Sequence, residues 1–184
     1  MTNATKQENV LAGKINIIKI PLNTPKYYKL GIDQDWVKAL LVELNEKAED
    51  KSPEEFLKET QLEIAIEMTK MFKKEYGEYL LIKVDLYTEY TTQCIRTLED
   101  MKESLELAFQ FCLVDKKMED EEEFTERLDI FEKDEMYDLY FYEKGFGELA
   151  EIIHEQIYLN INQYPIKDAE TPLAWGNDSS ETKQ

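Results

Sequence analysis

From Gln61 onward, apolar and polar residues alternate with period two for most of fifty residues, and no other feature limits the fold as strongly. Leu62, Ile64, Ile66 and Met68 fall on one side of the first run, with Glu63, Ala65, Glu67 and Thr69 on the other. The pattern resumes after Glu75-Tyr76-Gly77, with Leu80, Ile82, Val84, Leu86, Thr88 and Tyr90 on one face. It returns as Leu105, Leu107, Phe109, Phe111 and Leu113. Side chains of a strand point alternately to its two faces, so each run predicts a half-buried strand, and the short breaks between them predict an antiparallel meander. Opposed residues of an antiparallel pair share a face. A register in which Leu113 faces Ile82, Phe111 faces Val84, Phe109 faces Leu86 and Leu107 faces Thr88 puts the apolar rows together.

Outside the meander, Lys14–Ile20 reads as a strand ended by Pro21, and Lys26–Leu30 as a second short one. Asp33 offers an N-cap for a helix over Gln34–Ala48, with Trp36, Leu40 and Leu44 on one face beside Val37 and Leu41. Glu49–Pro53 reads as a loop, with Pro53 starting a short turn. Leu128–Phe131 and Tyr137–Tyr142 are strand candidates. Leu149, Ile153, Ile157 and Ile161 give helical spacing from Gly147 to Ile161, which Pro165 is expected to end. The prediction is a single α+β domain over residues 14–166, its antiparallel β-sheet (a meander centred on residues 61–114) covered by two helices. Residues 1–13 are expected to fray, and 167–184 to form a polar tail.

The formal charge is −18, concentrated where residues 99–138 hold sixteen acids against five bases. Such a field repels phosphate backbones and suits a basic protein partner, while equally keeping a small protein soluble. Glu119, Asp120, Glu121, Glu122 and Glu123 form the densest run and are the candidate contact for a basic partner. This run lacks the central glycine and ligand spacing of a calcium loop. No secretory leader pattern and no long apolar run are evident, so a cytoplasmic protein without membrane association is expected. The oligomeric state is not indicated.

Chemistry-bearing residues are few. His154 is the one histidine, and no Walker loop, nucleophile elbow or zinc-protease helix is present. Cys94 and Cys112, with His154, fall short of the four ligands of a structural zinc site, and they lie too far apart along the ladder to form a disulfide. No metal or cofactor is expected, and an enzyme with dispersed carboxylates ranks last among the readings. Lys70, Lys73 and Lys74 near the first hairpin, with Lys14, Lys19, Lys26 and Lys29, are the candidate basic patch, and Tyr27, Tyr28, Phe72 and Tyr76 are available to stack on unpaired RNA bases. Arg96 sits at the second hairpin. Its guanidinium suits carboxylate or phosphate recognition, or pins the turn by bonding Glu99, Asp100 or nearby carbonyls.

Cys94-Ile95-Arg96-Thr97-Leu98 resembles the C-x-R-C-L turn of the YceD family, the large ribosomal RNA subunit accumulation proteins. The likeness extends over roughly residues 14–166. It includes Phe146–Ile157, which is similar to the family's closing E-x-hydrophobic-x-x-E-Q helix, and Pro165 after it. Cys94, Arg96 and Leu98 match, while Thr97 stands at the second cysteine, so no paired-cysteine role carries over. The resemblance implies a non-enzymatic ribosome-biogenesis factor supporting large-subunit ribosomal RNA accumulation. Its expected partners are a basic ribosomal protein or assembly factor, and ribosomal RNA, with Cys94, Arg96 and Leu98 as turn-forming contact positions. The alternative is an acidic protein-interaction adaptor that binds a basic partner unrelated to ribosomes.

Overall fold

The three alternating runs are three long strands: β3 (Gln61–Lys73), β4 (Gly77–Gln93) and β5 (Asp100–Asp115). The computed structural model describes residues 12–48, 52–75, 77–119, 129–132 (backbone only) and 135–167. Around the meander lie β1 (Ile15–Asn16), β2 (Lys26–Leu30), α1 (Asp35–Leu44), α2 (Pro53–Glu59), β6 (Asp129–Glu132), β7 (Glu135–Tyr142), β8 (Phe146–Gly147) and α3 (Leu149–Asn160). The main sheet has six strands in the order β2-β3-β4-β5-β7-β6, and β1 pairs with β8 in a separate ribbon. Among the described residues, every strand pairing is antiparallel except β5 with β7, which is parallel. The fold is α+β and mostly antiparallel, as the alternation predicts.

One face of the sheet carries the core. Even-numbered residues of β3 and β4 and the odd-numbered Phe111 and Leu113 of β5 pack against Val37, Leu41 and Leu44 of α1 and Leu149, Ile153 and Ile157 of α3. Leu105, Leu107 and Phe109 are half-buried against the same cluster. The opposite face has a smaller cluster of its own, in which Tyr79, Leu81, Cys112, Val114 and Tyr137 are buried.

The β4–β5 register differs from expectation by two residues. Leu113 faces Leu80, Phe111 faces Ile82, Phe109 faces Val84 and Leu107 faces Leu86. A two-residue shift returns every side chain to its original face, so the hydrophobic pattern is blind to it and the turn decides. Here the ladder begins at Gln93–Asp100, closed by the Cys94 amide donating to the Glu99 carbonyl at 2.9 Å. Cys112 accordingly stands opposite Leu81 rather than Lys83.

Other boundaries also moved. The first strand stops at Asn16 and continues as one 3-10 turn, Ile17–Lys19, because its partner β8 is only two residues long. Helix α1 starts at Asp35 behind Gln34 and ends at Leu44, short of the predicted Ala48. Its C-cap residue, Asn45, is buried and takes over the helix end. Its Nδ2 donates to the Leu41 carbonyl at 2.6 Å, and its Oδ1 accepts from the Thr91 amide at 2.7 Å. Pro53 opens a helix and not merely a turn. Glu55 reaches back to the Ser52 amide at 2.8 Å, the capping-box arrangement that satisfies a free donor at a helix start. Pro165 lies beyond the end of α3 at Asn160 and serves elsewhere.

Candidate functional site

The loop between β4 and β5, residues 94–99, is built from the inside outward. Cys94 is buried at its base. The Leu98 amide donates to the Cys94 carbonyl at 2.8 Å, which folds the chain tightly enough to put Leu98 at φ +60°. The carboxy-terminal segment then straps the loop: the Ile95 amide donates to the Pro165 carbonyl at 2.9 Å, and the Lys167 amide donates to the Cys94 sulfur at 3.4 Å. Lys167 Nζ also reaches Glu99 at 3.1 Å.

Those donors act on the thiol. The Thr97 side chain, first, and then the Lys167 amide hold the Cys94 thiol down from its ordinary 9.0 to about 7, against the opposing effect of burial, with the Arg96 and Thr97 amides adding to it. Hydrogen bonds to the charged form favour that form. Thr97 is thus a donor to the Cys94 sulfur.

The outside of the loop has the opposite character. Ile95 is 51% exposed and Leu98 71%, Arg96 is exposed beside them, and Tyr164 of the strap is 75% exposed. A fixed base thus presents two aliphatic side chains, an arginine and an aromatic ring to solvent. Of the three motif positions, Arg96 and Leu98 face outward, while Cys94 is inside and positions them. In the strap, Tyr164 and Lys167 are exposed while Pro165 is buried beneath them; all three are about seventy residues away in sequence, and no local pattern links them to the loop.

The lysine patch is not assembled as expected. Lys70 is only 5% exposed, with its ammonium 2.6 Å from Glu78, because it continues the even-numbered core face of β3. Lys73 Nζ lies 5.9 Å from the Tyr79 ring centroid, and Lys74 is exposed in the hairpin. This hairpin and the Arg96 loop are at opposite ends of β4, on the order of 50 Å apart at the usual strand rise. Of the acidic run, Glu119 is exposed, and Asp120, Glu121, Glu122 and Glu123 lie outside the described residues, as does Tyr76. His154 joins α3 to α1 through Glu43 at 3.0 Å and packs on Tyr158. Among the described residues, no group of three or more His, Cys, Asp or Glu side chains is placed to hold a metal ion, and no helix is long and apolar enough to cross a membrane.

The family model "Large ribosomal RNA subunit accumulation protein YceD" matches residues 82–184, more than half of the chain. The chain belongs to the YceD family. The match begins inside β4, so it takes in the Cys94 loop, β5, β7 and α3, while β2, α1, α2 and β3 lie outside it. The YceD resemblance read from residues 14–166 is therefore matched over its second half. No curated protein and no solved structure matches the chain.

Proposed function

We propose that the chain is a non-enzymatic binding factor in biogenesis of the large ribosomal subunit, supporting accumulation of its RNA, and that the Ile95–Leu98 loop is a contact surface. The YceD family description supports the process. One observation carries the site: Leu98, a bulky residue, occupies the left-handed region with its side chain in solvent. That conformation costs a non-glycine residue about 1 kcal/mol or more, and a largely exposed leucine recovers little for it within the fold. A partner that covers Ile95, Leu98 and Tyr164 while pairing with Arg96 accounts for the arrangement.

The partner is a ribosomal protein or assembly factor, and the acidity of the chain favours a basic one by speeding encounter. Extended RNA contact through the lysine hairpin has less support, since Lys70 is buried and ion-paired. Sedimentation of cell lysate tests the reading. The chain is expected to co-migrate with large-subunit precursors and to lose about nine-tenths of that association on Arg96→Ala or Leu98→Gly. Sedimentation of both variants like the parent would overturn it.

A further inference from the structure

The face of the sheet turned away from the helices holds a trough of about 570 Å³ that runs across the strands. Its origin is one cross-strand row that holds two alanines. Lys29, Ala65, Asp85 and Ala108 stand opposite one another on β2, β3, β4 and β5. On one side of this row is Glu63–Tyr87–Glu106, and on the other Glu67–Lys83–Gln110. Two alanines thus form a low floor between two ridges of longer residues.

Same-face rows repeat every two residues, so the ridges are about 13 Å apart, close to the diameter of an α-helix with its side chains. Four strands span about 14 Å, room for two to three helical turns. The charge is equally one-sided. Asp33, Glu63, Asp85 and Glu106 line the trough against Lys29, Lys83 of the far ridge is ion-paired with Glu135, and among the described residues Glu63, Asp85 and Glu106 make no ion pair. Carboxylates left in solvent along an open channel repel nucleic acid and attract cationic side chains.

We propose that this trough is the docking cradle for a lysine- or arginine-rich helix of a partner protein, lying across β2 to β5 with its cations on Glu63, Asp85 and Glu106. The inference rests on the binding reading above for the nature of the partner, but it uses a different surface from the Arg96 loop. It also moves the basic-partner contact from the Glu119–Glu123 run to the sheet.

The probe is a synthetic alanine-based helical peptide with lysine at every fourth position, titrated calorimetrically into the full chain at physiological salt. Because a strongly acidic chain attracts any polycation, the decisive variant leaves charge unchanged: Ala65→Phe with Ala108→Phe fills the floor on a solvent-facing strand surface where aromatic residues are well tolerated. Binding is expected to weaken about tenfold, and similarly for Asp85→Lys, while Glu54→Lys on α2, an equal charge change elsewhere, stays within about twofold. No binding to the parent chain, or equal binding by the filled-trough variant, overturns the cradle. Loop variants in lysate sedimentation decide the function reading separately, so either can fail without the other.

Discussion

The Lys167 amide donates to the sulfur of Cys94 at 3.4 Å, joining the carboxy-terminal strap to the base of the loop. With the Thr97 side chain as the larger contributor, this holds the thiol down from 9.0 to about 7. A group whose folded pKa is depressed stabilises the fold in its deprotonated form. That contribution is complete above about pH 9 and is lost as the pH falls through about 7. The gap in thermal midpoint between the parent and Cys94→Ala is therefore expected to widen in the parent's favour from pH 7 to pH 9. Thr97→Val, which removes the main donor, flattens that dependence. A gap independent of pH would show that folding leaves the thiol unshifted, and a gap that narrows toward pH 9 would show that burial holds the sulfur as a thiol.

Leu98→Gly separates folding from binding. Glycine relieves left-handed strain of about 1 kcal/mol and returns part of it as added freedom of the unfolded chain. The variant is expected to be as stable as the parent or up to about 1 kcal/mol more stable, measured by urea unfolding. Its loss of association with large-subunit precursors would then owe nothing to misfolding. If Leu98→Gly is instead destabilised by more than about 1 kcal/mol, the leucine is serving the fold and its exposure needs another account.

Asn45 is the polar lock between α1 and the sheet. Strand β3 begins opposite Glu89, so β4 has no β3 neighbour beyond that point, and the Thr91 amide is met by the Asn45 side chain. Asn45→Ala leaves this buried donor without its acceptor and frees the end of α1, at a cost of about 2 to 3 kcal/mol. Asn45→Asp keeps the acceptor but sets a buried carboxylate at a helix C-terminus against the Leu41 carbonyl, so its unfolding midpoint should lie no higher than that of Asn45→Ala. A cost for alanine below about 0.5 kcal/mol would mean that water replaces the side chain.

Faces were legible in this sequence, and long-range contacts were not. Period-two alternation placed Leu62 to Met68 and Phe111 to Leu113 on the core side because side-chain direction is a local property of a strand. The same parity also places Lys70, two residues after Met68, on that side, and its burial follows from the rule that located the core. Ser52-Pro53-Glu54-Glu55 carries a readable capping box, and its helix was missed because the acidic and lysine-rich stretch before it reads as loop. Nothing local announces that Pro165 and Lys167 close over Cys94. Of the candidate site, the outward bend at Arg96 was visible from sequence, and the buried sulfur beneath it with its carboxy-terminal strap needed the fold.

Register is the feature parity leaves undetermined, and it has a direct chemical test. Asp85 stands opposite Ala108, whereas the pairing inferred from the alternation would set it opposite Gln110. Directly opposed Cβ atoms on an antiparallel pair are about 5 Å apart and diagonal ones about 7 Å, and a disulfide needs the shorter distance. Mild oxidation is expected to link the cysteines of Asp85→Cys/Ala108→Cys and to leave those of Asp85→Cys/Gln110→Cys free. The native thiols, Cys94 and Cys112, are both buried, so mapping the linked peptides distinguishes them from the introduced pair. The reverse outcome would enlarge the 94–99 loop by two residues and remove the turn that forces Leu98 into its left-handed conformation.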